Sequence, residues 1–282
     1  MLIRSRPARF AVAAAVLLTL FGCGSDAESD GTEAATTTEV AETTTTVAAA
    51  EPLSILVTND DGYAAEGIDA LVTGLRTLDG VELTVVAPLD QRSGTGGSST
   101  EGDLAVTDVE LPSGFEAQAV DGFPADTVRV AVDDQKMTPD LVVSGINQAQ
   151  NLGPVIDISG TVGAARAAVA RGIPGLATSQ GTGDPFDYEA AVPFVLDWVT
   201  EHRAALASGD EPVDVTNLNV PSCTVGEVRG LADVEADVDG DATQALAPQD
   251  CASTVPLDEG SGDVAAFATG YATISTIPDE AA

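Results

Sequence analysis

Two adjacent carboxylates, Asp60 and Asp61, are the side chains of this sequence best suited to chemistry. They stand between Asn59 and Gly62, in a stretch without a lysine. Two neighbouring carboxylates are costly to ionise together unless positive charge balances them, and a divalent cation is a suitable partner. Because Asp, Asn and Gly are also common turn residues, an acidic turn without a ligand is the alternative.

Two further oxygen donors complete a candidate ligand set for such a cation. They are the hydroxyl of Ser93 and the side-chain amide oxygen of Asn147. A set made only of oxygen atoms selects hard ions, so together with Asp60 and Asp61 it suits Mg²⁺, Mn²⁺ or Ca²⁺ better than zinc. We therefore expect one divalent cation at these four residues.

A third segment, Ser159-Gly160-Thr161, could hold a phosphate group. It opens a predicted helix, where hydroxyls and unpaired backbone N–H groups together favour a bound anion. The alternative is that Ser159 is an ordinary helix N-cap.

Alternating apolar and helical segments predict the framework that must position these residues. We predict strands over residues 53–57, 81–87, 141–144, 175–178, 213–218 and 271–277, and helices over residues 68–78, 124–133, 161–171 and 188–206. This alternation is typical of a Rossmann-like, doubly wound α/β fold with a mainly parallel sheet, followed by an irregular C-terminal extension. In such sheets ligands bind outside the carboxyl ends of the strands, where Asp60, Ser93 and Asn147 all lie.

The N-terminal region predicts export. Three arginines precede an apolar run at residues 10–21, which is shorter than the roughly 20 residues that span a bilayer, so residues 1–23 are interpreted as a signal peptide. Gly and Cys at its end resemble a bacterial lipoprotein processing site, which predicts lipidation at Cys23 and anchoring to the outer face of the cell membrane. The alternative is ordinary cleavage and secretion. Residues 24–51, rich in Thr, Ala and Glu, are predicted to be a disordered linker, and residues 52–282 are predicted to form the folded domain.

The remaining cysteines, Cys223 and Cys251, are expected to form a disulfide, because an exported protein folds in an oxidising compartment. Two free thiols are the alternative. Cys223 also stands at Cys-x5-Arg spacing from Arg229, as in cysteine-dependent phosphatases. We reject that hypothesis, because Glu227 would repel a phosphate and an exported cysteine is better paired than reactive.

The formal charge of −34 disfavours polyanionic partners. A field of that sign repels long nucleic acids and anionic membrane surfaces, and it raises the local concentration of cations. We therefore expect membrane association only through the N-terminal lipid, and a small substrate.

The order of the motifs resembles that of the SurE family of metal-dependent 5′/3′-nucleotidases. The similarity extends from residue 53 to about residue 277. The motifs that carry it are ILVTNDDG (55–62), RSG (92–94), GFPAD (122–126), PDLVVSGIN (139–147), NLG (151–153) and SGTV (159–162).

The resemblance implies a metal-dependent phosphomonoester hydrolase, a nucleotidase of the phosphatase type that releases nucleoside and phosphate from nucleoside monophosphates. It implies metal ligands at Asp60, Asp61, Ser93 and Asn147. It implies phosphate contacts at Asn151, Ser159, Gly160 and Thr161, to which we add Asn59 and Gly62.

For catalysis we favour a carboxylate of Asp60 or Asp61 that orients the attacking water, with a covalent aspartyl-phosphate as the alternative. The resemblance also implies a homodimer or tetramer. The competing function is that of a non-catalytic, envelope-tethered protein that binds metal or phosphorylated ligands.

Overall fold

The computed structural model describes residues 52–183 and 186–277. The predicted signal peptide, Cys23 and the linker lie outside the described residues and stay predictions. Within the described ranges, no helix is both long enough and apolar enough to cross a membrane.

One mixed sheet of nine strands forms the centre of the described part of the chain, in the order β3-β4-β2-β1-β5-β6-β7-β9-β8. Strands are β1 Leu53–Thr58, β2 Val81–Pro88, β3 Val106–Glu110, β4 Glu116–Val120, β5 Leu141–Gln148, β6 Gly175–Gln180, β7 Val215–Val220, β8 Leu231–Asp233 and β9 Ala272–Ile277. Helices are α1 Glu66–Leu75, α2 Pro124–Arg129, α3 Gly160–Val169, α4 Tyr188–Ser208, α5 Ala242–Ala245 and α6 Asp263–Ala268. The strands β4, β2, β1, β5, β6 and β7 run parallel, whereas β3 and β9 pair antiparallel with their neighbours β4 and β7.

Helices cover both faces of the sheet, which confirms the doubly wound α/β prediction. Ile55 and Val57 of β1 pack in a core with α1 and α4, whereas Leu56 between them packs in a second core with Val128 of α2 and Ala164 of α3. Successive side chains of a strand point to opposite faces, so a central strand must be apolar throughout. This explains why β1 is a continuous apolar run.

The strand order places a switch point between β1 and β5. From β1 the chain runs to β2 on one side, and from β5 it continues through β6 and β7 on the other. The crevice at such a point, outside the carboxyl ends of the strands, is where ligands bind in open α/β sheets. Asp60 and Asp61 follow β1, and Asn147 is the last residue but one of β5, so these residues flank that crevice.

Several elements differ from the sequence predictions. The hairpin of β3 and β4 was not predicted, because β3 is mostly exposed and lacks an apolar run. The helix predicted over 124–133 is α-helical only to Arg129 and continues as a π-helical turn, Val130–Asp134. The C-terminal extension contains β8, α5 and α6 within its irregular segments.

Cys223 and Cys251 form the expected disulfide, with 5.7 Å between their Cα atoms.

Candidate active site

Asp60 is the most buried charged group of the crevice, with only 2% of its surface exposed. Thr161, in the first turn of α3, donates its hydroxyl to Oδ1 of Asp60 at 2.6 Å. Burial raises the pKa of Asp60 to about 6, while the hydrogen bond from Thr161 lowers it and the charge of Asp61 raises it further. Asp60 also lies against the positive end of the α3 dipole, which favours its ionised form and so opposes the effect of burial.

Asp61 lies closer to the surface and is held from β5. The backbone N–H of Gln148 donates to Oδ2 of Asp61 at 3.0 Å, and the Gln91 amide donates to Oδ1 at 3.4 Å. Burial raises the pKa of Asp61, and these two donors oppose that rise. The carboxylate thus joins the end of β1 to the end of β5 across the switch point.

Asn59 and Gly62 shape the turn that presents the two aspartates. The Asn59 amide nitrogen donates to the carbonyl oxygen of Gly62 at 2.9 Å. Gly62 has φ of 94°, and a Cβ there would lie 3.2 Å from the carbonyl carbon of Asp90. The turn therefore requires glycine. These contacts give Asn59 and Gly62 a structural part in the site, and their assignment to phosphate stays a prediction.

Ser93 and Asn147 each follow or precede a residue whose backbone N–H binds the aspartate segment, Arg92 and Gln148 respectively. The backbone N–H of Arg92 donates to the carbonyl oxygen of Asp60 at 2.6 Å, which brings the exposed Ser93 beside the crevice. The Asn147 amide nitrogen donates to the carbonyl oxygen of Ala149 at 2.6 Å. This bond occupies the nitrogen and leaves the amide oxygen as the group available to a cation.

The four predicted metal ligands fit a hard cation in their chemistry. Among the described residues, neither Asp60 nor Asp61 forms an ion pair, so the two carboxylates have no cationic side chain to balance them. In the same part of the chain, no group of three or more His, Cys, Asp or Glu is placed to hold a metal ion. The candidate set contains only two carboxylates, and a hydroxyl and an amide supply its other oxygens.

The segment Ser159-Gly160-Thr161 opens α3 as predicted, but its hydroxyls have structural partners. Ser159 is the N-cap, and its Oγ accepts from the backbone N–H of Val162 at 3.2 Å. Gly160 packs so closely on Asp60 that a Cβ would lie 2.8 Å from the Asp60 Cβ and 2.9 Å from its Oδ2. The segment therefore positions Asp60 directly, and its phosphate contacts stay a prediction.

Asn151 lies in a buried polar network rather than at the surface of the crevice. Its amide nitrogen donates to Oγ of Ser179 at 2.9 Å, and its backbone N–H donates to Asn219 at 2.7 Å. Asn217 donates to the Asn151 carbonyl oxygen at 2.8 Å. The network ties the segment after β5 to β6 and β7, and the role of Asn151 as a phosphate ligand stays a prediction.

Sequence reasoning missed three residues around Asp61. Gln91 and Gln148 donate to its carboxylate, and Tyr188 begins α4 nearby. Burial raises the pKa of Tyr188 to about 12, and the charges of Asp61 and Glu66 raise it as well. The Tyr188 hydroxyl therefore stays protonated. No local pattern marks these residues, because each reaches Asp61 only through the folding of the sheet and α4.

The fold and the site define a doubly wound α/β protein with paired carboxylates, oxygen donors and a helix N-terminus at its switch point. The family model "Survival protein SurE" matches residues 55–237. The chain therefore belongs to the SurE family.

Similar proteins agree with this family. A 5′-nucleotidase SurE of Brevibacillus brevis is 38% identical over 186 residues, which cover 64% of this chain and 70% of that protein. A 5′-nucleotidase SurE of Pelobacter propionicus is 41% identical over 179 residues, covering 63% of this chain and 69% of that protein. The crystal structure of the SurE protein from Aquifex aeolicus is similar with a TM-score of 0.62 and 28% identity, covering 79% of this chain and 92% of that one.

Proposed function

We propose that this chain is a metal-dependent phosphomonoesterase, a 5′/3′-nucleotidase that hydrolyses nucleoside monophosphates to nucleoside and phosphate. The observation that carries the proposal is the buried Asp60 against the N-terminus of α3, beside Asp61 and at the switch point of the sheet. The match to the SurE family and the relatives named 5′-nucleotidase support the same activity.

A divalent cation, Mg²⁺ or Mn²⁺ with Ca²⁺ as a third candidate, would be held by Asp60, Asp61, Ser93 and Asn147. When bound, it supplies charge compensation and Lewis-acid polarisation of the phosphoryl group and of water. The buried carboxylate of Asp60, the half-buried carboxylate of Asp61 and the oxygen-only donor set support this assignment.

The protein's own residues orient the reacting groups. Thr161 and Gln148 hold one carboxylate oxygen each of Asp60 and Asp61, so the remaining lone pairs keep fixed directions. A carboxylate held in this way accepts a hydrogen bond from the attacking water and aligns it with phosphorus, an orientation effect that lowers the activation barrier. The first turn of α3 lies against Asp60 through Gly160 and Thr161, so the positive end of the helix dipole is at the crevice and suits a phosphoryl group.

The test is turnover of AMP and p-nitrophenyl phosphate by purified protein with Mn²⁺ or Mg²⁺, with and without EDTA. Phosphate release that the chelator abolishes and added metal restores is the expected result. Folded protein that binds metal or AMP without releasing phosphate would instead favour the non-catalytic binding function.

As to cellular location, we propose that the protein is exported and anchored to the outer face of the cell membrane through a lipid on Cys23. The sequence pattern of the first 23 residues supports this location. Fractionation and mass spectrometry of the mature N-terminus test it, and full-length protein in the cytosol would contradict it.

Light scattering of the purified protein tests whether two or four copies assemble.

A further inference from the structure

A small cavity lies at the carboxyl edge of the sheet, beyond the ends of β6 and β7. It has a volume of about 280 Å³ and lies outside the residues assigned to metal and phosphate. Ligand pockets in proteins begin at about this size. Its walls come from three chain segments, at residues 182–183, 222–225 and 248–251.

The three walls are fastened to one another. Cys223 and Cys251, joined by the disulfide, each contribute to a wall. The Gln249 amide nitrogen donates to the carbonyl oxygens of Thr182, at 2.8 Å, and Ser222, at 2.6 Å. The cavity is therefore preformed, which lowers the entropic cost of binding a ligand.

A short path of contacts leads from the metal-ligand candidates to this cavity. After Asn147, the backbone N–H of Ala149 donates to the carbonyl oxygen of Gln180 at 3.0 Å. The side chain of Gln150 then accepts from the backbone N–H of Thr182 at 3.1 Å. Neighbouring strands are about 4.8 Å apart, so the cavity lies two to three strand spacings, roughly 10–15 Å, from the aspartates along the same edge. A substrate larger than a phosphorylated sugar could reach both places.

The polarity of the walls selects the part of the substrate that fits. The lining contains the hydroxyls of Thr182 and Thr224 and the carboxylate of Asp250, but none of the described arginines or Lys136. The Gln249 amide oxygen is a buried acceptor without a partner among the described residues. Acceptors and hydroxyls suit a neutral group that carries amines and hydroxyls, and they disfavour a second phosphate.

We propose that this disulfide-bounded cavity is the specificity site for the leaving group, and that it receives the nucleoside end of the substrate. The inference rests on the proposed phosphomonoesterase function, since the cavity adds selectivity to that reaction and carries none of its chemistry. It accounts for a disulfide at this position, because the bond holds two of the cavity walls together.

The test places a bulky side chain at the cavity wall and compares two substrates. Thr224 is exposed and lines the cavity, whereas Val213 is 41% exposed and precedes β7 at the opposite edge of the sheet. For Thr224→Trp we expect the KM for AMP to rise by about tenfold or more, which corresponds to at least about 1.4 kcal/mol of binding. Turnover of p-nitrophenyl phosphate should stay within about twofold of wild type, and Val213→Trp should leave both substrates unchanged.

Unchanged AMP kinetics in Thr224→Trp would overturn the inference. An equal loss on both substrates would also overturn it, because the substitution would then act on the shared phosphate site. Adenosine should inhibit p-nitrophenyl phosphate hydrolysis competitively in wild type and about tenfold more weakly in Thr224→Trp. If wild type hydrolyses neither substrate, the proposed function fails, and calorimetric binding of adenosine to the two proteins then decides on the cavity alone.

Discussion

Replacement of Gly160 by alanine tests the contact on which the site depends. The new Cβ would lie 2.8 Å from the Cβ of Asp60, about 0.6 Å inside the 3.4 Å at which ordinary van der Waals contact begins. Asp60 or the start of α3 must therefore move by at least that distance. A misplacement of about 1 Å can cost roughly 10²-fold in rate, so we expect kcat to fall by about ten- to a hundredfold.

The fold should survive this change. Alanine is a better helix former than glycine by about 1 kcal/mol, which partly offsets the crowding at the first residue of α3. The control is Gly97→Ala, at a nearby glycine where a Cβ meets nothing within 4 Å and φ is not positive. Steady-state turnover across a Mn²⁺ titration and thermal melts of both variants provide the measurement. A Gly160→Ala protein with wild-type kcat and wild-type metal activation would refute the close packing of α3 on Asp60.

Three further predictions follow from single contacts. Asp61→Asn should greatly lower kcat without lowering the melting temperature, because a neutral amide compensates metal charge poorly; near-normal turnover would remove Asp61 from the site. Reduction of the Cys223–Cys251 disulfide, which spans 28 residues of sequence, should lower the unfolding free energy by about 3.5 kcal/mol in urea titrations, and an unchanged midpoint would contradict this estimate. Burial raises the pKa of Asp263 above 3.8, so its contribution to the unfolding free energy is greatest below pH 3.8 and falls as the pH rises through the raised pKa. A carboxyl ¹³C NMR titration with its midpoint at or below 3.8 would count against that environment.

The central strands could be predicted because burial on both faces leaves a strong signal. Residues 53–57 were predicted, and β1 is Leu53–Thr58; residues 175–178 lie within β6, Gly175–Gln180. The β3–β4 hairpin leaves no such signal. Four of the five residues of β3 are exposed, and a short edge strand is specified mainly by the partner strand beside it.

The position of the site could also be predicted, but its internal contacts could not. The rule that ligands bind at the carboxyl ends of parallel strands identified Asp60, Asp61 and Asn147 from their place in the sequence. The bond between Thr161 and Asp60 joins residues 101 positions apart, and it exists only because α3 packs its first turn against the end of β1. The backbone donor of Gln148 has no side-chain signature at all, since any residue there offers the same N–H.

The proposed dependence on a divalent cation follows from the charge balance of the crevice. The described arginines that form ion pairs do so with other carboxylates; even Arg92, whose backbone donates to Asp60, directs its guanidinium to Asp121. The N-terminus of α3 contributes only about half a positive charge. It cannot balance two carboxylates and an incoming phosphate dianion, so removal of divalent metal should abolish turnover rather than reduce it. Residual turnover in excess EDTA, measured on folded protein, would show that the crevice has a source of positive charge besides the metal.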